Sequence, residues 1–352
     1  MNDFGISLYL STGIEKNTEI LQKAHASGIC HAFTSFHIPE EDAQDAARQI
    51  ALLLAACKTY QVSLMADVGP ETLQKLGIKS FAELKKTAIT YLRIDYGFSP
   101  AEIYSLSQDF HLVFNASTLC ETEIAELERL GTDFSRLFAC HNFYPKPLTG
   151  LSLERIHSVN ERLHAFGMRT MAFVSGDREL RGPLQEGLPT AETHRNGNVL
   201  YNMLQLIKDC ETDICFIGDI DVSDSVYRQI KELKNGYVRL DVSLLPAYRF
   251  LGDTVHHDRP DSSEYVIRSQ ESRQYKVKGM RFPKEPLRPR KAGSISVSNE
   301  AYQRYAGEVE IARKDLPEEE RVNIVGQVAE ESMQYLPYIT DGMGFQLEVK
   351  TE

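Results

Sequence analysis

Met168-Arg-Thr-Met-Ala-Phe-Val-Ser-Gly-Asp-Arg178 reads as a buried strand that ends in a charged loop. Met171, Ala172, Phe173 and Val174 make an unbroken apolar run, the pattern of a strand covered on both faces. Gly176, Gly182, Pro183, Gly187 and Pro189 then break the chain, while Asp177, Arg178, Arg181 and Glu186 charge it. Glu192, His194 and Arg195 follow where the next helix should begin. A long Gly- and Pro-rich connection hung on a buried strand is the usual setting for function rather than for packing.

Outward from this stretch the same alternation recurs. Strands are expected at Phe4–Leu10, His31–Phe36, Ser63–Val68, Tyr91–Tyr96, Leu112–Ala116, Arg136–His141 and Asp213–Gly218. Helices are expected between them: Asn17–Ser27, Glu40–Tyr60, one opened by Pro70, one from Ser99-Pro100, Glu121–Leu130, Leu151–Phe166 and Ser223–Leu233. Strands alternating with helices imply a parallel sheet, and eight such units in about 235 residues suit a closed (β/α)8 barrel. No Gly-x-Gly-x-x-Gly follows the first strand, which speaks against dinucleotide binding.

After Asn235-Gly236 the texture changes. Tyr237–Leu245, Glu264–Ser269, Ser294–Ser298, Gly307–Ala312, Arg321–Val328 and Phe345–Val349 read as short strands parted by turns and Pro-rich segments. The division expected is therefore a barrel over residues 1–235 and a small all-β barrel over 236–352.

The net charge of −11 opposes a nucleic-acid role, which needs a basic face. The N-terminus lacks a basic, then apolar signal pattern, and no segment approaches the roughly 20 apolar residues of a membrane helix. The six scattered cysteines read as reduced thiols of a cytoplasmic protein.

In a (β/α)8 barrel the active site lies at the C-terminal strand ends. Those ends carry His37, Asp67, Asp95, Asn115, His141 with Asn142, Asp177 and Asp219. Alternation sets Ser63, Met65 and Asp67 on one face of their strand and Arg93 with Asp95 on one face of theirs. Asp177 continues the face of Met171, Phe173 and Ser175, so three aspartates are expected to ring the barrel axis. Each could also serve as a helix cap. A cup of facing carboxylates suits acid/base work on a glycosidic bond, with about 5 Å between them for retention and roughly 6.5–9.5 Å for inversion. The same cup could hold a divalent metal, but no close-spaced motif such as His-Glu-x-x-His is present, and no cofactor is expected. Lys146, Arg178, Arg181 and Arg195 are candidates for contacts to a phosphate. His256-His257-Asp258 resembles a metal-binding fragment but equally suits an exposed turn, and Arg281–Lys291 reads as a basic surface loop.

Asp95-Tyr-Gly97, His141-Asn-Phe-Tyr-Pro145, Ser175-Gly-Asp177, Gly182-Pro-Leu-Gln-Glu-Gly-Leu-Pro189 with His194-Arg195, and Arg321-Val-Asn-Ile-Val-Gly326 together resemble the 6-phospho-N-acetylmuramidase family across essentially the whole chain. The resemblance implies a barrel followed by a cyclophilin-like β-barrel. It also implies a cytoplasmic exo-glycosidase of peptidoglycan recycling that releases N-acetylmuramic acid 6-phosphate from the non-reducing end of a muropeptide glycan. On the strand-end reading, Asp95 and Asp177 are the first-choice catalytic carboxylates, with Glu186 and Asp219 in reserve. His141, Asn142, Asn115, Asp67 and His194 would bind the sugar, and Arg178 or Arg195 with Lys146 its phosphate. Two other readings of the cup stay open at this point: a metal-dependent phosphosugar isomerase or aldolase, and a phosphosugar sensor without turnover.

Overall fold

The computed structural model describes residues 3–35, 43–69, 72–73, 78–94 and 97–350. His37, Asp95 and most of the helix expected after Pro70 lie outside the described residues. The chain divides into two compact units, Met1–Lys231 and Glu232–Glu352.

The first unit is the closed parallel barrel that the alternation implies. Its strands β1 (Asp3–Ser7), β2 (His31–Ser35), β3 (Ser63–Val68), β4 (Ile89–Ile94), β5 (His111–Asn115), β6 (Leu137–Cys140), β7 (Arg169–Val174) and β8 (Ile214–Ile217) pair in chain order. Phe4 opposite Cys215 closes β1 on β8. Inward side chains fill the barrel: Phe33, Met65, Tyr91, Val113, Phe138, Cys140, Met171, Phe173, Ile214 and Phe216 form one buried cluster. Space there is so short that a Cβ at Gly5 would lie 2.2 Å from the Phe216 ring.

Helices α1 (Ile14–Ala26), α2 (Ala43–Thr59), α3 (Pro100–Ser107), α4 (Glu121–Arg129), α5 (Leu153–His164), α6 (Val199–Leu204) and α7 (Asp224–Lys234) join the strands. Ser99 and Glu102 cap α3 reciprocally, ahead of Pro100 at its first turn. Two boundaries move from expectation. The first strand stops at Ser7, since Leu10–Thr12 coils into a tight turn that stops at Gly13. The helix after β7 starts at Val199, where Asn198 accepts the Tyr201 N–H, while Glu192–His194 forms only one tight turn.

The second unit is a seven-stranded sheet in the order β10-β15-β9-β14-β12-β13-β11. These are β9 (Tyr237–Leu244), β10 (Val255–His257), β11 (Val266–Arg268), β12 (Ser294–Ser298), β13 (Val309–Ala312), β14 (Val322–Val328) and β15 (Gly344–Val349). An isolated bridge between Asp258 and Ser269, just beyond the two edge strands, nearly closes it into a barrel. β10 is the strand that the sequence reading passed over. His256-His257-Asp258 is neither an exposed turn nor a loose metal fragment. His256 is fully buried, its ring bonded to Ser269 Oγ and the Leu251 carbonyl and stacked on Phe345. His257 meets Glu271, and Asp258 accepts the Arg268 N–H.

Candidate active site

The alternation that fills the barrel also delivers polar groups to its C-terminal rim. Met65 and Tyr91 point inward, so Asp67 and Arg93, two residues further along β3 and β4, do so as well. Arg93 spans the rim. One Nη donates to Asp67 Oδ1 at 2.7 Å and the other to Asn142 Oδ1 at 2.7 Å. The Asp67 and Arg93 side chains are each only 12% exposed, so the pair is largely desolvated and its attraction stronger than on an open surface. Asn115 ends β5 on the same inward face as Val113, and its Oδ1 accepts the Ser117 N–H. Phe143, next to Asn142 in the chain, packs edge-on to Phe33 and Phe173 of the barrel's apolar cluster. The arrangement sets a charge-paired, amide-bearing cluster beside aromatic side chains at the rim.

The connection after β7 spends its charges differently. Asp219 is fully buried beyond β8, and its carboxylate accepts backbone N–H groups of Gly176 (2.8 Å), Arg181 (2.9 Å) and Leu188 (3.2 Å). Burial raises its pKa from the ordinary aspartate value, opposed by those N–H groups. Asp219 therefore ties the loop to the barrel. Arg195 has a side chain only 6% exposed and binds both oxygens of Glu192 at 2.7 Å. Its remaining N–H groups reach the carbonyls of Glu186, Gly187, Tyr144 and Lys146. Glu192 also accepts the N–H groups of Leu148 and Gly150, and with the Arg195 guanidinium these hold its pKa down to about 2. Arg195 thus clasps the loops after β6 and β7 together and has no donor left for a phosphate.

Asp177 does not join Asp67 at the axis. β7 ends at Val174, and the exposed Asp177 instead accepts the Ser223 N–H (2.7 Å) and hydroxyl (2.8 Å) at the start of α7. Arg178 faces Asp221 at 3.6 Å and Asp224 at 3.9 Å. Glu186 is exposed on the overhang, and Lys146 is exposed on the loop after β6. His194 is fully buried, its Nε2 against Gln205 Oε1, and burial lowers its pKa to about 4. His141 alternates with the inward Cys140 and turns away from the cup, its Nε2 bonded to Asn160 on α5. Asp95 enters on sequence alone.

Arg93 is the cup residue that the candidate set lacked. Its signal was a charged side chain between Leu92 and Ile94 in a strand whose inward face it shares. Among the described residues, the grouping of ligand atoms compact enough for a metal ion is Asp3 with Cys30 and His31, on the N-terminal ends of β1 and β2. That is the opposite end of the barrel from the cup.

A family model described as 6-phospho-N-acetylmuramidase, N-terminal, matches residues 4–232, and one described as 6-phospho-N-acetylmuramidase, C-terminal, matches 239–348. Among solved structures, a conserved Enterococcus faecalis protein of unknown function is 31% identical with a TM-score of 0.80, covering 99% of this chain and 96% of that one. An uncharacterized B. cereus protein is 24% identical with a TM-score of 0.77, covering 99% of each chain. No curated protein matches the chain. With family models spanning both units, the chain belongs to the 6-phospho-N-acetylmuramidase family, whose name describes a glycosidase.

Proposed function

We propose that this protein hydrolyses the glycosidic bond of a 6-phosphorylated N-acetylmuramic acid at the non-reducing end of a muropeptide disaccharide or glycan, in cytoplasmic peptidoglycan recycling. The observation that carries the reading is the Asp67–Arg93–Asn142 cluster at the C-terminal rim of the barrel. An oxocarbenium-like transition state needs negative charge beside the anomeric carbon and a proton for the leaving oxygen. Asp67 supplies the charge, fixed in direction by Arg93. Asp95, next but one to Arg93 in sequence, supplies the proton. Asn142 and Asn115 meet the ring substituents, the acetamido group among them, and the aromatic rings of Phe33, Phe143 and Phe173 keep water from the sugar.

A chromogenic 6-phosphorylated N-acetylmuramide tests it. Asp67→Asn and Asp95→Asn should each lose roughly 10²–10⁴-fold in kcat, the range for a positioned acid or base. Near-wild-type turnover by both variants would end the assignment.

A further inference from the structure

We propose that Arg181, held over the ring of Tyr9, is the residue that binds the phosphate of the substrate. The inference rests on the reading of a phosphorylated sugar substrate and names the group that selects it.

A phosphate oxygen needs charged N–H donors that are held in place yet not already spent. Most cations at this end of the barrel are spent. Arg93 serves Asp67 and Asn142, and Arg195 serves Glu192 and a ring of carbonyls. Arg178, Lys16 and Lys23 surround Asp221. Lys146 has no ion pair among the described residues, but it is exposed, and no aromatic ring lies beneath its ammonium. Arg181 combines the two requirements. Among the described residues it forms no ion pair, and it is half-buried.

What fixes Arg181 is visible at both ends of the residue. Its backbone N–H donates to the buried Asp219, which pins Gly176 and Leu188 as well. Its guanidinium carbon lies 4.0 Å from the centre of the Tyr9 ring. That ring cannot yield, because Tyr9 is 1% exposed and its hydroxyl donates to the Gly218 carbonyl at the end of β8. A guanidinium has five N–H groups, so one held over an aromatic ring keeps donors for an anion. The Tyr9 oxygen and the buried Asp219 charge both attract the guanidinium, without a direct ion pair. The position agrees with a frequent arrangement in (β/α)8 barrels, a phosphate site at the loops after the seventh and eighth strands. Arg181 follows β7, and Tyr9 leans on the end of β8.

The test compares wild type, Arg181→Met and Arg181→Lys for binding of N-acetylmuramic acid 6-phosphate and of N-acetylmuramic acid by calorimetry. Chromogenic glycosides of both sugars give the matching kcat/KM values. Wild type should prefer the phosphorylated form. Arg181→Met should lose roughly hundredfold in affinity for that form, as when one partner of a desolvated charge pair is truncated, with the unphosphorylated sugar unchanged. Arg181→Lys should fall between, keeping charge without the bidentate edge. A melting temperature at the wild-type value excludes loss through misfolding. If Arg181→Met keeps the full preference for the phosphorylated sugar, the assignment of Arg181 is overturned. If instead wild type binds the phosphorylated sugar through Arg181 but turns over neither glycoside, the hydrolase reading fails while the phosphate site stands.

Discussion

Two regions at the C-terminal end of the barrel carry the same kinds of residue and use them in opposite ways. Over β3, β4 and β6, Arg93 and Asp67 pair at the barrel rim, with Asn142 as their neutral partner. In the connection after β7, Arg195 and Glu192 are joined as tightly, but every remaining donor of the arginine turns back onto a main-chain carbonyl. The first region joins three side chains from different strands at the barrel rim; the second spends its donors to give a long loop a fixed shape. Burial alone does not separate the cases, since the Arg93 side chain is 12% exposed and that of Arg195 6%. The partners do. Side chain on side chain links strands at the rim, whereas side chain on backbone closes a loop.

The sharpest way to break this contrast is Arg195→Met. If Arg195 clasps two loops, the variant takes two charge-assisted bonds from the half-buried Glu192 and frees four carbonyls, and stability should drop by about 4 kcal/mol, several such bonds being lost at once. Chemical denaturation measures it. Unchanged stability with a raised KM for the phosphorylated sugar would instead make Arg195 a substrate ligand, as its sequence position first implied.

The barrel could be read from apolar runs and alternation because both properties are local. A strand such as Arg169–Val174 announces itself, and parity correctly turns Asp67 and Arg93 toward the axis. Alternation fails where a strand stops. Asp177 shares the parity of Phe173 on paper, but β7 ends at Val174 and the chain departs toward α7. His141 illustrates the same limit from the other side: one residue beyond the inward Cys140, it faces Asn160. β10 is too short to show a period at all. The role of Asp219 is set by three N–H groups of a loop that folds back onto it, a fact no window of sequence contains.

A pH titration sharpens the contrast next. His194 was a candidate sugar ligand, yet it is fully buried and its pKa falls from 6.5 to about 4 because burial disfavours the imidazolium. Between those values the unfolded chain binds more protons than the native one. The stabilising contribution is therefore complete above pH 6.5 and is lost as pH falls toward 4, amounting to about 3 kcal/mol. Burial lowers the pKa of His141 and His256 in the same direction, so the difference between wild type and His194→Gln isolates the group. The variant should be less stable at neutral pH and lose less on acidification. Equal pH slopes would mean that His194 is solvated in the native protein, as a substrate ligand must be.

Asp177→Ala is the smallest expected effect and the closest test of where the cup ends. Its two bonds to Ser223 lie at the surface and at the N-terminus of α7, where a carboxylate satisfies free N–H groups and meets the helix dipole. Such a cap is worth about 1 kcal/mol. Turnover should stay within about tenfold of wild type, far short of the 10²-fold or greater loss of a positioned acid or base. Suppose instead that turnover collapses while stability holds. Then Asp177 must leave Ser223 and swing to the substrate during the reaction, and the connection after β7 would be a catalytic element rather than a braced wall. Ser223→Ala decides between the two, because it removes the hydroxyl bond and leaves the carboxylate. It should lower stability by a similar fraction if Asp177 only caps the helix, and raise turnover if that bond holds the carboxylate back.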